Sequence, residues 1–561
     1  MALYLLDYGA GNVQSLANSL RKLGHEFTWI KTPSDFDKAT SLIFPGVGAF
    51  GSAIQGLKDR GLLEPLREYI KSGRPYFGIC IGLQVLFESS AESTESQGLA
   101  IIPAAIERFD DLDKSVPHIG WNSADFLDRD TSPDEGIQES SFYYFVHSFC
   151  AKYDPKRNPI SAEWAHTTTQ YGQELFIASV LKDNVFGTQF HPEKSGEAGL
   201  QLIDSWLRQP EAVRSRLPAS APLARLSRPR DNLTKRVIAC MDVRANDQGD
   251  LVVTKGDQYD VREKVLDSSS ALATQAAGAV RNLGKPVSLA SQYYDQGADE
   301  ICLLNITSFR HSPLQDQPML AVVRAAAERV FVPLTIGGGI KDTIDPDGRK
   351  RSALEVAGEY FRAGADKVSI GSEAVYASEE YIKNNRKGSG TSAIETIAHA
   401  YGRQAVLVSI DPRRVYVDPS SYDGPFKDEL VFGAPDGPDD ERNKAWWYQC
   451  TVSGGRESRN ISVVQFAKAS EELGAGELLI NSIDRDGTGR GFDLDLIRLV
   501  KSNVRIPVIA SSGAGKARHF VDVFQATGAE AALAAGIFHR GEVGIGEVKD
   551  CLKEHAISAR T

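Results

Sequence analysis

Residues 332–340 read VPLTIGGGI, and residues 506–515 read IPVIASSGAG. Each is a short apolar run that carries a proline at its second position and closes on glycine or serine, the pattern of a buried strand feeding a loop. The two prolines lie 507 − 333 = 174 residues apart. Two further pairs keep nearly the same offset. GADE (297–300) echoes GAGE (474–477) at 474 − 297 = 177, and ACMDV (239–243) echoes VSIDP (408–412), with Asp242 and Asp411 separated by 411 − 242 = 169. Three echoes at one offset point to two copies of a half-barrel. Each copy supplies four βα units, and together they make a (β/α)8, or TIM, barrel over residues 235–561. That block exceeds the typical ~250 residues of such barrels. Insertions are therefore expected, and residues 257–284, 342–352 and 419–444 are the candidates, being polar, Gly- or Ser-bearing and weakly periodic.

Upstream, residues 208–234 carry four prolines, several arginines and little periodicity, and read as a linker. Residues 1–207 return to α/β patterning. Leu3–Leu6 is an apolar run ending in Asp7 and Gly9, and Val13, Leu16, Leu20 and Leu23 then recur at helical spacing until Gly24. Residues 41–44 (SLIF) and 75–79 (PYFGI) are further buried strands, so a separate α/β domain with a largely parallel sheet is expected.

At 561 residues, 42% hydrophobic and 24% charged, the chain has the composition of a multi-domain globular protein. A net charge of −11 argues against a nucleic-acid binder. Glycine loops can still hold phosphate locally. The six scattered cysteines form no CxxC pair, which reads as reduced thiols with neither a metal site nor a cofactor. No apolar run reaches membrane-spanning length, and MALYLLDYG lacks a basic n-region. The expected compartment is the cytoplasm, or a plastid should a transit peptide have been removed.

Two segments of the first block carry chemistry. Gly78-Ile79-Cys80-Ile81-Gly82-Leu83-Gln84 places a cysteine between a strand and a helical stretch, with glycines at −2 and +2. That is a nucleophile elbow, in which a following helix N-terminus would favour the thiolate. Thr188-Gln189-Phe190-His191-Pro192-Glu193 supplies a base and a carboxylate to orient it. A lone cysteine is more often a core thiol, and HPE alone a surface turn; together they point to catalysis.

With these motifs the first block resembles the class I, triad-type glutamine amidotransferases. The resemblance implies that Cys80 attacks the side-chain amide of L-glutamine and releases ammonia. It makes Pro45-Gly46-Val47-Gly48 the oxyanion strand, with Val47 N–H acting beside Ile81. It also makes Gln84, His147 and Ser148 glutamine contacts, and sets Trp121 near the contact with the ammonia-using unit.

In the barrel, Asp242 and Asp411 end strands 1 and 5, on opposite sides of an eight-stranded ring, and form a plausible acid–base pair at the mouth. Gly337-Gly338-Gly339 and Ser511-Ser512-Gly513 follow strands 3 and 7, while Gly371-Ser372 and Ala535-Gly536 end strands 4 and 8. Loops of this kind in both halves suggest a substrate with a phosphate at each end. The motifs KRVIACMDV, TKGDQY, GADEICLLNIT, GADKVSIGS, GGRES and GELLINSIDRDGTGRGFD span most of residues 235–540. They are similar to the cyclases of imidazole glycerol phosphate synthases, and the whole chain to the fused glutaminase–cyclase form. That likeness implies a bis-phosphorylated ribulosyl aminoimidazole-carboxamide substrate. Asp411 becomes the general acid and Asp242 the base. Lys255, Asn305, Asp484, Asp486, Gly487 and Thr488 become substrate contacts, with Gly338, Gly339, Gly371, Ser372, Ser512, Gly513, Ala535 and Gly536 at the phosphates. Lys194 and Asp366 should bridge the two units, and Arg236, Glu300, Lys367 and Glu477 should form a charged ring gating ammonia at the barrel floor. Two rivals are a sister isomerase barrel, which has no reason to carry a glutaminase, and a docking subunit that has lost catalysis, against which Cys80, His191 and Glu193 all stand.

Overall fold

The computed structural model describes residues 2–9, 11–127, 136–138, 140–210, 231–245, 251–254, 285–306, 317–345, 348–435 and 438–560. The N-terminal unit is built on eight strands. In spatial order they are Thr28–Ile30, Leu3–Leu6, Ser41–Phe44, Tyr76–Ile79, Val185–Thr188, Glu174–Lys182, Ala165–Tyr171 and Asp125–Phe126. The first five pair in parallel and the last three junctions are antiparallel. The largely parallel sheet expected from sequence is thus a mixed one. The reason is local: only residues 172–173 and 183–184 separate the strands on either side, and two-residue turns join antiparallel neighbours alone. The last helix, Gly196–Arg208, runs one residue into the expected linker. Of that linker, residues 211–230 lie outside the described residues, and Asn232 and Thr234 bond back to Ser123 and Trp121.

The C-terminal unit closes as an eight-stranded parallel barrel: Arg236–Ala245, Glu300–Asn305, Leu334–Gly337, Lys367–Ile370, Val406–Ile410, Glu477–Asn481, Val508–Ser511 and Ala531–Ala534, with the eighth strand paired to the first. Strand 1 is longer than expected. It continues past Asp242 to Ala245 and pairs there with Leu251–Thr254, so Asp242 lies within the strand rather than at its end. Side chains alternate, and Ile238, Cys240, Cys302, Leu407, Leu479, Ile509 and Leu533 fill the lumen while a far larger apolar layer packs under the helices. Two expected insertions contain strands. Thr343–Ile344 pairs with Lys350–Arg351, and the excursion after strand 5 forms a four-stranded sheet of Pro412–Val417, Val431–Phe432, Ala445–Val452 and Glu457–Ser462. The third, residues 257–284, lies outside the described residues. No helix among the described residues is long and apolar enough to cross a membrane.

The N-terminal unit covers the barrel's floor. Its contacts fall on residues just ahead of strands: Trp121 Nε1 donates to the Asp299 carbonyl (3.2 Å), Gly196 N–H to Phe331 (2.9 Å) and Val116 N–H to Arg505 (3.0 Å).

Candidate functional site

Cys80 follows Tyr76–Ile79 directly and adopts φ 51°, ψ −101°, a strained conformation for a side-chain-bearing residue. Its neighbours make that possible. A Cβ on Gly78 would come within 2.3 Å of the Gly82 carbonyl oxygen, and one on Gly82 within 2.0 Å of the Phe44 carbonyl oxygen. The helical stretch expected behind Cys80 is a single turn, Ile81–Gln84, because Phe87–Ser90 already leaves as a strand. A helix that short contributes little macrodipole, so the elbow depends on backbone geometry and on the base beside it.

That base comes from the adjacent strand. Tyr76–Ile79 pairs in register with Val185–Thr188, and the Cys80 N–H donates to the Thr188 carbonyl (2.7 Å), so both strand ends emerge side by side. His191 Nδ1 contacts Glu193 Oε1 at 2.8 Å, and its Nε2 has no oxygen or nitrogen partner among the described residues. Burial opposes charge on the ring, yet Cys80 and Glu193 outweigh it and hold the imidazole well above its ordinary pKa. Gln189, absent from the sequence-based set, donates to Cys80 Sγ (3.5 Å) and accepts from Gln84 Nε2 (3.0 Å). Its position two residues before His191 was the available signal.

The other expected glutamine contacts are placed unevenly. His147 is engaged on both nitrogens, by the Phe149 carbonyl (2.8 Å) and by His118 (3.2 Å), and burial pushes its pKa down to about 3. Ser148 Oγ is buried without a hydrogen-bond partner among the described residues. Beside the elbow, the Ile81 N–H meets the Gly46 carbonyl at a long 3.5 Å, and the Val47 carbonyl accepts from Tyr8 (2.9 Å).

Between the units lies a small cavity, with room for about one water molecule, lined by Val47, Tyr144, Val146, His191 and Lys194 from one side and Asp366, Lys367 and Gln404 from the other. Lys194 Nζ meets Asp366 Oδ2 at 2.7 Å with both side chains largely buried, and Asn12 Nδ2 donates to Asp366 Oδ1 (2.8 Å). Trp121 carries the Arg560 guanidinium 4.1 Å over its ring, and Arg560 in turn pairs with Asp299 (2.8 Å).

Below this cavity the barrel floor holds a closed ring of four charges. Arg236 Nη1 meets Glu300 (2.8 Å) and its Nη2 meets Glu477; Lys367 Nζ meets Glu300 and Glu477, each at 2.7 Å. All four are essentially inaccessible to solvent. For Arg236, burial works against the charge but Glu477 and Glu300 outweigh it. For Glu477, burial is likewise outweighed by Arg236 and Lys367, which keep the carboxylate charged.

The ring and the mouth share one strand face. Along strand 1, Arg236, Ile238, Cys240 and Asp242 have the same parity, and along strand 6 so do Glu477, Leu479 and Asn481. At ~3.3 Å per residue, Arg236 and Asp242 are about 20 Å apart along the strand. Asn481 Nδ2 donates to Asp411 Oδ1 (2.8 Å), and burial raises the Asp411 pKa. Asn305 is buried at the end of strand 2. Gly338, Gly339, Ser512 and Gly513 all have φ between 71° and 93°, turning their loops sharply over strands 3 and 7. Gly371 and Ala535 precede the helices Ser372–Lys383 and Gly536–His539, and Ser372 Oγ accepts from the Ser453 N–H (2.9 Å). Asp484, Asp486, Gly487 and Thr488 sit on the exposed loop after strand 6, where Asp484 accepts from the Arg414 N–H (2.8 Å). Lys255 lies outside the described residues. Elsewhere, Cys551, Glu554 and His555 bring metal-type donor atoms together, but His555 Nε2 faces the Arg518 guanidinium at 2.5 Å, which opposes a cation.

Comparison with known proteins accounts for both halves. Residues 4–208 match the class I glutamine amidotransferase family, and residues 236–544 match the histidine biosynthesis protein family. The chain is 51% identical to the imidazole glycerol phosphate synthase of Emericella nidulans over 560 residues, covering 99% of this chain and 98% of that protein. The chain belongs to the imidazole glycerol phosphate synthases. The enzyme of Schizosaccharomyces pombe is also 51% identical, over the full length of both chains. That of Arabidopsis thaliana, named chloroplastic, is 52% identical over 99% of this chain and 89% of its own. This is the fused form of the family, an enzyme with a glutamine amidotransferase and a cyclase on one chain.

Proposed function

We propose that ammonia made at Cys80 passes through the covered barrel floor and is consumed at the Asp242–Asp411 mouth. Residues 1–207 are read as the glutaminase, 208–234 as the linker and 235–561 as the cyclase. His191, oriented by Glu193, takes the Cys80 thiol proton as the sulfur attacks the glutamine amide carbon. The oxyanion falls to Val47 and Ile81 N–H groups, for which the weak Ile81–Gly46 contact must give way. Collapse returns the proton to the leaving ammonia, and one water hydrolyses the thioester to glutamate.

At the mouth, ammonia condenses with the ketone of the bis-phosphorylated ribulosyl substrate and one water leaves, matching the one consumed upstream. The new nitrogen attacks the formimino carbon, the ring closes, and aminoimidazole-carboxamide ribotide departs from imidazole glycerol phosphate. Asp411, kept protonated to higher pH by burial, serves as acid and Asp242 as base. The loops at Gly338–Gly339 with Gly371–Ser372, and at Ser512–Gly513 with Ala535–Gly536, hold one phosphate each. Asn305, Asp484, Asp486, Gly487 and Thr488 contact the substrate between them.

The observation that carries this reading is the interface cavity, which has His191 in one wall and the ring residue Lys367 in the other. The test is ammonia release from glutamine with and without the ribulosyl substrate, under conditions where free ammonia is trapped enzymatically. Channelling predicts that the trap captures almost nothing during turnover. Stoichiometric capture would sink it. The cytoplasm is the compartment proposed for this chain.

A further inference from the structure

The excursion after strand 5 enters the cyclase mouth through two adjacent acids. Glu441 is buried, and its Oε1 lies 2.9 Å from Arg414 Nη1 and 2.6 Å from Arg485 Nη2. Asp440 grips Arg490 with both oxygens, at 2.8 and 3.0 Å. Arg485 and Arg490 flank the tip of the strand-6 loop that carries Asp486, Gly487 and Thr488. That tip has little rigidity of its own. Residues 486–490 are exposed, and Gly487 and Gly489 take positive φ (69° and 67°), so ordering the tip costs more backbone entropy than an ordinary loop; Gly491 behind it is buried and its N–H donates to the Gly513 carbonyl (2.8 Å).

The other end of the clamp is rigid. Arg414 lies 4.3 Å over the buried Trp446 ring and is shared with Asp493, which also accepts from Tyr448 and Ser482. The Glu441 backbone is itself tied down, since its carbonyl packs against Gly433 so closely that a Cβ there would come within 1.9 Å.

We propose that Glu441 is a positioning residue for cyclisation: through Arg485 it fixes the strand-6 loop over the substrate, with Asp440 as an accessory. The two acids differ in weight. The Asp440–Arg490 pair is solvent-exposed, the kind that contributes little, whereas Glu441 is a buried node whose loss leaves two arginines short of a partner. The inference rests on reading residues 484–488 as substrate-contacting.

The test uses the full-length enzyme with added ammonium salt, Glu441→Gln, Asp440→Asn and Thr488→Ala, following KM for the ribulosyl substrate, kcat, and hydrogen exchange across residues 482–491. Far-UV circular dichroism and the urea midpoint of each variant check that its barrel folds. Glu441→Gln should speed exchange in that segment and raise KM roughly tenfold with kcat within about twofold, while Asp440→Asn stays near wild type. Glu441→Asp, which keeps the charge one methylene back, should restore most of the loss and serves in place of the amide if that variant does not fold. Unchanged exchange overturns the clamp. Faster exchange with unchanged KM also overturns it if Thr488→Ala raises KM, and overturns the substrate-loop reading instead if Thr488→Ala does not.

Discussion

The two reacting centres are built to opposite specifications. Cys80, His191 and Glu193 are 7%, 1% and 3% exposed; Cys80 directly follows one strand, and His191 and Glu193 sit on the short turn after the strand paired with it. At the barrel mouth Asp242 and Asn305 lie on strands and Asp411 directly follows one, while most of the proposed substrate contacts lie on loops, several of them exposed. On the proposed reading, glutamine is small enough to be handled by preformed backbone, whereas a long substrate with two phosphates would be gripped by loops. On that same reading, precision at one centre comes from strain and burial, and at the other from ties such as Glu441 that would stiffen a loop from outside.

The strongest way to break this contrast is to silence each centre alone. Cys80→Ala should lower glutamine-dependent synthesis by at least ~10^3-fold and leave ammonium-dependent synthesis intact. Asp411→Asn should remove both by a similar factor while glutamine is still hydrolysed. Steady-state rates with either nitrogen source decide it, and a joint loss in folded Cys80→Ala would end the idea of separable centres.

The next largest effect concerns the ring between them. Glu477→Gln leaves Arg236 and Lys367 with one carboxylate, Glu300, in a solvent-free floor, and should cost about 3 kcal/mol of barrel stability by urea denaturation. It should also let ammonia made at Cys80 leak into the trap. A stable, leak-free variant would mean that the ring is neither structural support nor gate.

The smallest effect, taken per histidine and per pH unit, sharpens the contrast in burial. His118, His147 and His166 are buried with pKa values pushed down by desolvation, His147 to about 3 and His166 to about 4. Below the unfolded value near 6.5 the denatured chain takes up protons that the folded one refuses, so stability falls with falling pH. Between about pH 6 and 4 the glutaminase should lose up to ~1.4 kcal/mol per pH unit for each such histidine. Urea midpoints across that range, in wild type and His166→Gln, give the slope; identical slopes would remove His166 from the account.

The barrel was legible in the sequence because its half-repeat leaves echoes at nearly one offset, 169 to 177 residues, with unequal loop lengths setting the spread. The elbow was legible because Gly78 and Gly82 are demanded by carbonyl oxygens that a Cβ would meet at 2.3 and 2.0 Å. The antiparallel half of the first sheet was not. Thr167, Thr168 and Thr169 are all buried, so polarity gave no alternation to read, and the decisive facts were the two-residue turns on either side of Glu174–Lys182. Gln189, Asn12 and Glu441 were missed for another reason. Each bonds to a residue far away in the chain (Cys80, Asp366 and Arg485); Asn12 and Glu441 carry no local mark, and Gln189 only its place two residues before His191.

The shared parity of Arg236 and Asp242 on strand 1, and of Glu477 and Asn481 on strand 6, binds the fate of the floor to that of the mouth. Losing one residue from the middle of either strand shifts its register by one, and every side chain beyond the deletion turns from the lumen to the helix layer. A reading-frame-preserving deletion there would therefore evict a ring charge or a mouth residue into an apolar shell in one event. Point substitution can explore these strands one position at a time. Length cannot vary at all, and natural variation in this barrel should gather its insertions and deletions outside the span from ring to mouth, as the excursion after strand 5 already does.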